Sequence, residues 1–150
     1  MKITGALIPN TTSTNIEKSL DSFDPIDQGW DVLGLILEKI KQCDSPVGMI
    51  PSLLRVFERW PGATTGGGWL YSSLHLIEEF DHGSSLVLKS LLHCPSILTV
   101  MLMERAIRGC TLQSERASLL MQLKKALRKK GVKKSVRREI EQVIESLETS

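Results

Sequence analysis

Apolar residues in this chain recur three and four positions apart, and no segment alternates cleanly at period two. A helix with one buried face demands that spacing, whereas a half-buried strand demands the alternation, so the pattern constrains the chain to an all-α fold. The clearest case lies within residues 66–109. Trp69, Ser73, Leu76 and Phe80 recur at helical spacing, and Leu70, Leu74 and Ile77 fill the adjoining stripe. Composition agrees: aromatics are only 5% and the apolar content is mostly leucine and isoleucine, which suits helix-on-helix packing better than strands.

The punctuation predicts about eight helices. Thr12 to Asn15 offer capping oxygens before Ile16, Leu20 and Phe23, and Asp24-Pro25 ends that first helix. A second begins near Asp27 to Trp30 and carries Leu33, Ile36, Leu37 and Ile40. Ser45-Pro46 opens a third, through Val47, Ile50, Leu53, Leu54 and Phe57 to Trp60, stopped by Pro61-Gly62. The fourth is the central stretch ending at Asp81-His82-Gly83. Ser84 or Ser85 should cap a fifth, which runs through Leu86, Leu88 and Leu92 to His93 and is stopped by Pro95. Ser96 starts a sixth with Ile97, Leu98, Met101 and Leu102, closed by Gly109. The seventh, from Thr111 or Ser114, carries Ala117, Leu120, Met121 and Leu127, and the eighth, from about Ser135, carries Val136, Ile140, Val143, Ile144 and Leu147. Residues 1–12 give no clear signal beyond a Pro9-Asn10 turn. Helices two to seven pair across short breaks, which suggests stacked antiparallel hairpins, as a HEAT-like solenoid or an irregular bundle.

At 150 residues this is most economically one domain, 1–150, with a basic C-terminal helical segment at 124–150. Cys43, Cys94 and Cys110 are odd in number and far apart, as expected of reduced, buried thiols in a cytoplasmic protein. Met1 to Ile8 is too short an apolar run for a secretory signal. The most apolar run, Leu91 to Met103, is interrupted by His93 and Pro95 and falls short of the ~20 residues a bilayer needs, so no membrane partner is expected.

Few residue sets invite chemistry. The run from Gly62 to Gly68 lacks the Lys-Ser/Thr pair and preceding strand of a phosphate-binding loop, so it reads as an interhelical connection. His75, Glu78, Glu79 and His82 have metal-ligand types at helical spacing, but no second helix supplies matching ligands; no metal or cofactor is expected. Neither a nucleophile elbow nor a reactive-cysteine context is visible, so an enzyme is not expected.

Charge is uneven along the chain. Residues 124–150 hold nine basic and four acidic side chains, against ten and thirteen in the remainder. The run Lys124, Lys125, Arg128, Lys129, Lys130, Lys133, Lys134, Arg137, Arg138 could follow a phosphate backbone. No aromatic residue follows Phe80 to stack on bases, and Glu139, Glu141, Glu145 and Glu148 could pair with some of these cations. A solvated helix end is therefore the preferred reading of that run, with a helical adaptor for nucleic acid the alternative. Two acidic groups, Asp21, Asp24, Asp27, Asp31 and Glu78, Glu79, Asp81, would merge into one surface beside Trp69 and Tyr71 if the second and fourth helices presented the same side.

The order Trp69-x-x-x-x-x-His75-x-Ile77-Glu78, a leucine-rich helix, Pro95, and then Leu98, Met101, Leu102 and Arg105 to Ile107 resembles the small all-helical immunity proteins encoded beside bacterial polymorphic toxins, including those of contact-dependent inhibition systems. The resemblance covers about 45 of the 150 residues. It implies a protein that binds a cognate toxin domain, in many cases a nuclease, and occludes its active site. This chain departs from the pattern in its net charge of +2, since inhibitors of nuclease toxins are often acidic. On that implication, Trp69, Tyr71, His75, Glu78, Glu79 and Asp81 are the expected contact residues, with aromatic anchors for burial and carboxylates for steering.

Overall fold

A computed structural model describes residues 13–64 and 68–149; the Pro9-Asn10 turn, Thr12 and part of the glycine-rich run lie outside them. The described residues contain nine α-helices and no strand: α1 Ser13–Asp21, α2 Pro25–Gln28, α3 Trp30–Gln42, α4 Ile50–Arg59, α5 Trp69–Phe80, α6 Ser85–His93, α7 Ile97–Gly109, α8 Gln113–Leu127 and α9 Lys134–Thr149. The all-α class expected from the apolar spacing is what the chain adopts. One helix is additional. The Asp24 carboxylate accepts the Ile26 amide at 2.9 Å and proline stands at the first helical position, so a single turn, α2, forms before Gly29 at φ +85° redirects the chain into α3.

Contacts gather the chain into two compact units, one from Met1–Val56 with Thr65–Phe80 and the other from Phe57–Thr64 with Asp81–Ser150. In the first, α3 packs against α1 and α5. Its buried side chains are those of the helical stripes: Ile16 and Leu20 from α1, Leu33, Ile36, Leu37 and Ile40 from α3, Leu70, Leu74 and Ile77 from α5. Burying an aliphatic side chain of this size stabilises by about 1.5–3 kcal/mol, which gives the stripes the leverage to orient three helices. Val47 departs from its expected inward place. A short 3-10 turn over Pro46–Met49 precedes α4 and leaves it half exposed.

In the second unit α7 packs against α6, α8 and α9. It is buried nearly all round, with Ile97, Leu98, Val100, Leu102, Met103 and Ile107 inside. Its N-terminus is closed by a reciprocal box: Ser96 Oγ accepts the Thr99 amide at 3.2 Å, and Thr99 Oγ1 accepts the Ser96 amide at 3.0 Å. Gly131 at φ +81° turns α8 back into α9, a backbone conformation that a side chain would strain. Arginines brace both ends of that hairpin, Arg137 donating to the Leu127 carbonyl at 3.1 Å and Arg116 to the Leu147 carbonyl at 3.4 Å.

Two helices have inward faces that apolar spacing leaves open. In α6, Val87 and Leu91 are buried while Leu86, Leu88 and Leu92 are only partly covered. In α8, Leu123 and Ala126 are buried, whereas Met121 and Ala117 are exposed. Apolar residues sit at so many positions of both segments that spacing alone admits more than one stripe, and the neighbours of each helix choose between them. The expected Ser84 or Ser85 cap is also replaced. Ser84 adopts a left-handed backbone (φ 59°, ψ 24°) and makes no side-chain cap bond, because a capping oxygen reaches the next amides from an extended backbone.

Candidate functional site

The expected contact residues separate into outward and inward sets once α5 is seated on α3. Trp69 is 4% exposed and stacks on Trp30, ring centroids 4.0 Å apart and planes 8° from parallel, with Phe23 against Trp30 at 5.6 Å. It is a core residue, and a partner does not reach it. Asp81 is 7% exposed and stands in for the missing serine cap, its two carboxylate oxygens accepting the Leu86 amide at 3.1 Å and the Val87 amide at 2.9 Å. A carboxylate at a helix N-terminus is favoured by the aligned peptide dipoles, so its role there is to start α6.

Tyr71, His75, Glu78 and Glu79 are turned outward by α5, as is Ser72. Tyr71 is 58% exposed and the His75 side chain 66%. Tyr71, His75 and Glu78 fall at i, i+4 and i+7, one line along the helix, and Glu79 lies beside it. His75 Nδ1 and Glu78 Oε1 approach to 3.7 Å, a loose contact in open solvent. The inner side of the same helix is pinned by its stripe and by Ser73, whose hydroxyl donates to the Trp69 carbonyl at 2.8 Å.

The first unit carries nine acidic and five basic residues, net −4, and the second eight and fourteen, net +6. Some of the first unit's acids are committed locally: Asp24 caps α2, Asp21 meets Arg55 at 3.2 Å, and Glu38 meets Lys41 at 3.1 Å. Leu35 on α3, 65% exposed, is an apolar surface residue of this unit that the sequence reading passed over. Its signal was negative, since it falls outside the Leu33, Ile36, Leu37, Ile40 stripe.

Two side chains of the second unit, Ser90 and Cys94, both hydrogen-bond to Glu58. Ser90 donates to Glu58 Oε2 at 2.6 Å, and Cys94 donates to the Glu58 carbonyl at 3.4 Å. Burial, and next the Glu58 carboxylate, raise the Cys94 thiol above its ordinary pKa, with the Lys129 charge opposing them. That shift favours the thiol over the reactive thiolate. Cys110 donates to the Ala106 carbonyl at 3.3 Å; none of the three cysteines is in a disulfide, but only Cys43 is buried as expected, Cys94 and Cys110 being partly exposed near the ends of α6 and α7. Among the described residues no three His, Cys, Asp or Glu side chains are grouped to hold a metal ion, and no helix is long and apolar enough to cross a membrane.

Of the basic run, Lys124 meets Glu148 at 2.7 Å and Arg137 caps α8, while the others project into solvent. No family model matches this chain, and no curated protein or solved structure is significantly similar to it.

Proposed function

We propose that this chain is a non-catalytic inhibitor of the immunity-protein class, which binds a cognate toxin domain through the outward face of α5 and occludes its active site. The observation that carries the reading is a single exposed tyrosine that shares the outward side of α5 with His75 and two carboxylates, on a helix anchored from behind. Tyr71 offers a rigid, amphipathic surface at the N-terminal end of the line that continues through His75 to Glu78, with Glu79 beside it, within a unit of net charge −4. Tyrosine is enriched among residues that dominate binding energy, and acidic neighbours speed encounter with a basic partner. The toxin as partner comes from the resemblance of residues 66–109 to that family. The structural engagement of Ser90, Cys94 and Ser73 in hydrogen bonds fits a binding protein.

The test is calorimetric titration of the purified chain with the toxin domain encoded immediately upstream of its gene. Tyr71→Ala and the pair Glu78→Lys, Glu79→Lys are each expected to weaken binding at least about tenfold, the second chiefly through a slower, less salt-sensitive association. Native circular dichroism with unchanged affinity in both variants would remove α5 as the contact face. Failure of the wild-type chain to bind would remove the toxin reading itself.

A further inference from the structure

We infer that the turn joining α8 to α9 is a docking surface for the phosphate backbone of double-stranded nucleic acid. Neutralisation of this segment by its own glutamates is slight. Of Glu139, Glu141, Glu145 and Glu148, only Glu148 meets a cation of the run, Lys124. Lys125, the run Arg128-Lys129-Lys130, the pair Lys133-Lys134, and Arg138 are all exposed, and none of their side chains enters a hydrogen bond or ion pair among the described residues. Because α8 and α9 pack against each other and Gly131 reverses the chain between them, these seven cations gather at one end of the hairpin.

Helix stability accounts for only part of this placement: Lys125 and the Arg128-Lys129-Lys130 run lie at the C-terminal end of α8, where cations are favoured, but Lys133, Lys134 and Arg138 lie at the start of α9. The first turn of α9 contains Lys134 and Arg137 and no acid, while its last turn holds no base and Glu145 and Glu148 lie near its C-terminal end. Aligned peptide dipoles favour the opposite distribution at both ends. The turn is also held in place from within its own unit: Arg137 ties α9 to the last carbonyl of α8, and Lys133 lies over Gly62, where a Cβ would come within 3.3 Å of its Nζ. A braced turn bearing seven unneutralised charges suits an extended, repeating anion.

The class of partner follows from what accompanies the charges. A protein interface of lasting affinity has apolar or aromatic anchors at its centre and few lysines there. Here five of the seven cations are lysines, and no large hydrophobic side chain between 122 and 149 is exposed. Attachment to an anionic bilayer needs a second, inserting signal beyond a polybasic patch, and that same stretch exposes none. With no aromatic residue after Phe80, single strands find no stacking platform. A duplex, which presents phosphates along a regular ridge and asks only for charge, is the partner left that these residues fit.

The purified full chain is to be titrated into a fluorescein-labelled 20-base-pair DNA duplex of arbitrary sequence, followed by anisotropy across a potassium chloride series. Binding is expected at low salt and should weaken to the ~10⁻⁴–10⁻⁶ M range at physiological salt, with log K falling against log salt by about 0.9 per phosphate neutralised, hence a slope no steeper than about −6 for seven cations. Lys130→Glu with Lys134→Glu should weaken binding more than about tenfold, Lys130→Arg with Lys134→Arg should retain it, and Lys39→Glu in the first unit should leave it unchanged. Both lysines are exposed and without partners, so unaltered thermal melts are expected for every variant. Absence of duplex binding at low salt, a salt-independent affinity, insensitivity to the double reversal, or binding to phosphatidylserine vesicles but not to the duplex would each overturn the inference. No toxin enters this experiment, so its outcome is separate from that of the α5 reading.

Discussion

Trp30 and Trp69 stack face to face at 4.0 Å, joining the first residue of α3 to the first residue of α5. The pair sets where along α3 the helix α5 begins. The Leu70, Leu74, Ile77 stripe then sets which way α5 rotates, and the two constraints together aim Tyr71, His75, Glu78 and Glu79 outward. A residue expected at the contact surface thus turns out to position that surface from below.

Trp69→Ala is expected to destabilise the chain by about 3–5 kcal/mol, because it empties the volume of a buried indole and removes an aromatic pair. Trp69→Phe keeps part of the stack and should cost less. Urea unfolding followed by far-ultraviolet circular dichroism measures both. A loss under about 1 kcal/mol for the alanine variant would mean that the stack does not hold α5 to α3.

Legibility of the fold depended on how crowded each apolar pattern is. In α9 the five apolar residues Val136, Ile140, Val143, Ile144 and Leu147 are separated by charged and polar ones, and all five are buried as their spacing required. In α6, Leu86, Val87, Leu88, Leu91 and Leu92 leave little polar contrast, so the inward side was settled by tertiary neighbours instead. The site shows the same division. Tyr71, His75 and Glu79 could be placed outside because the stripes of α5 excluded them. Asp81 could not be placed by spacing, since its capping role arises from the left-handed backbone of Ser84, which removes the nearer candidate.

Asp81→Ala leaves two amides at the start of α6 without their acceptor in a place that water reaches poorly. The expected loss is about 1–2 kcal/mol, in the range for a helix cap and for a buried unmet donor. Asp81→Asn retains one acceptor oxygen and should fall between that variant and wild type. Amide hydrogen exchange at Leu86 and Val87 gives the local readout; if protection there survives in the alanine variant, the cap lies elsewhere.

The raised pKa of Cys94 has a defined pH signature. A group whose folded pKa lies above its unfolded value contributes stability that is complete below the unfolded pKa and is lost as pH rises through the folded one. The urea midpoint of the wild type should therefore decline on the alkaline side, beginning at the ordinary thiol pKa, and Cys94→Ala should lack that component. Alkylation of Cys94 by iodoacetamide should be slower than that of an unstructured cysteine peptide at the same pH. Lys129→Gln, which removes the cation that opposes the shift, should slow it further, and a faster rate in that variant would contradict the electrostatic account.

The rotation of α8 admits a paired test. Leu123 is fully buried, whereas Met121, two residues earlier and of similar size, is 56% exposed. Leu123→Ala opens a cavity beneath helices α6, α7 and α9, against which α8 packs, and is expected to cost about 2–5 kcal/mol. Met121→Ala removes atoms already in solvent and should change stability by no more than about 0.5 kcal/mol. Chemical denaturation of the two variants under one condition decides the matter, because a rotation of α8 that brought Met121 inward would demand the opposite order.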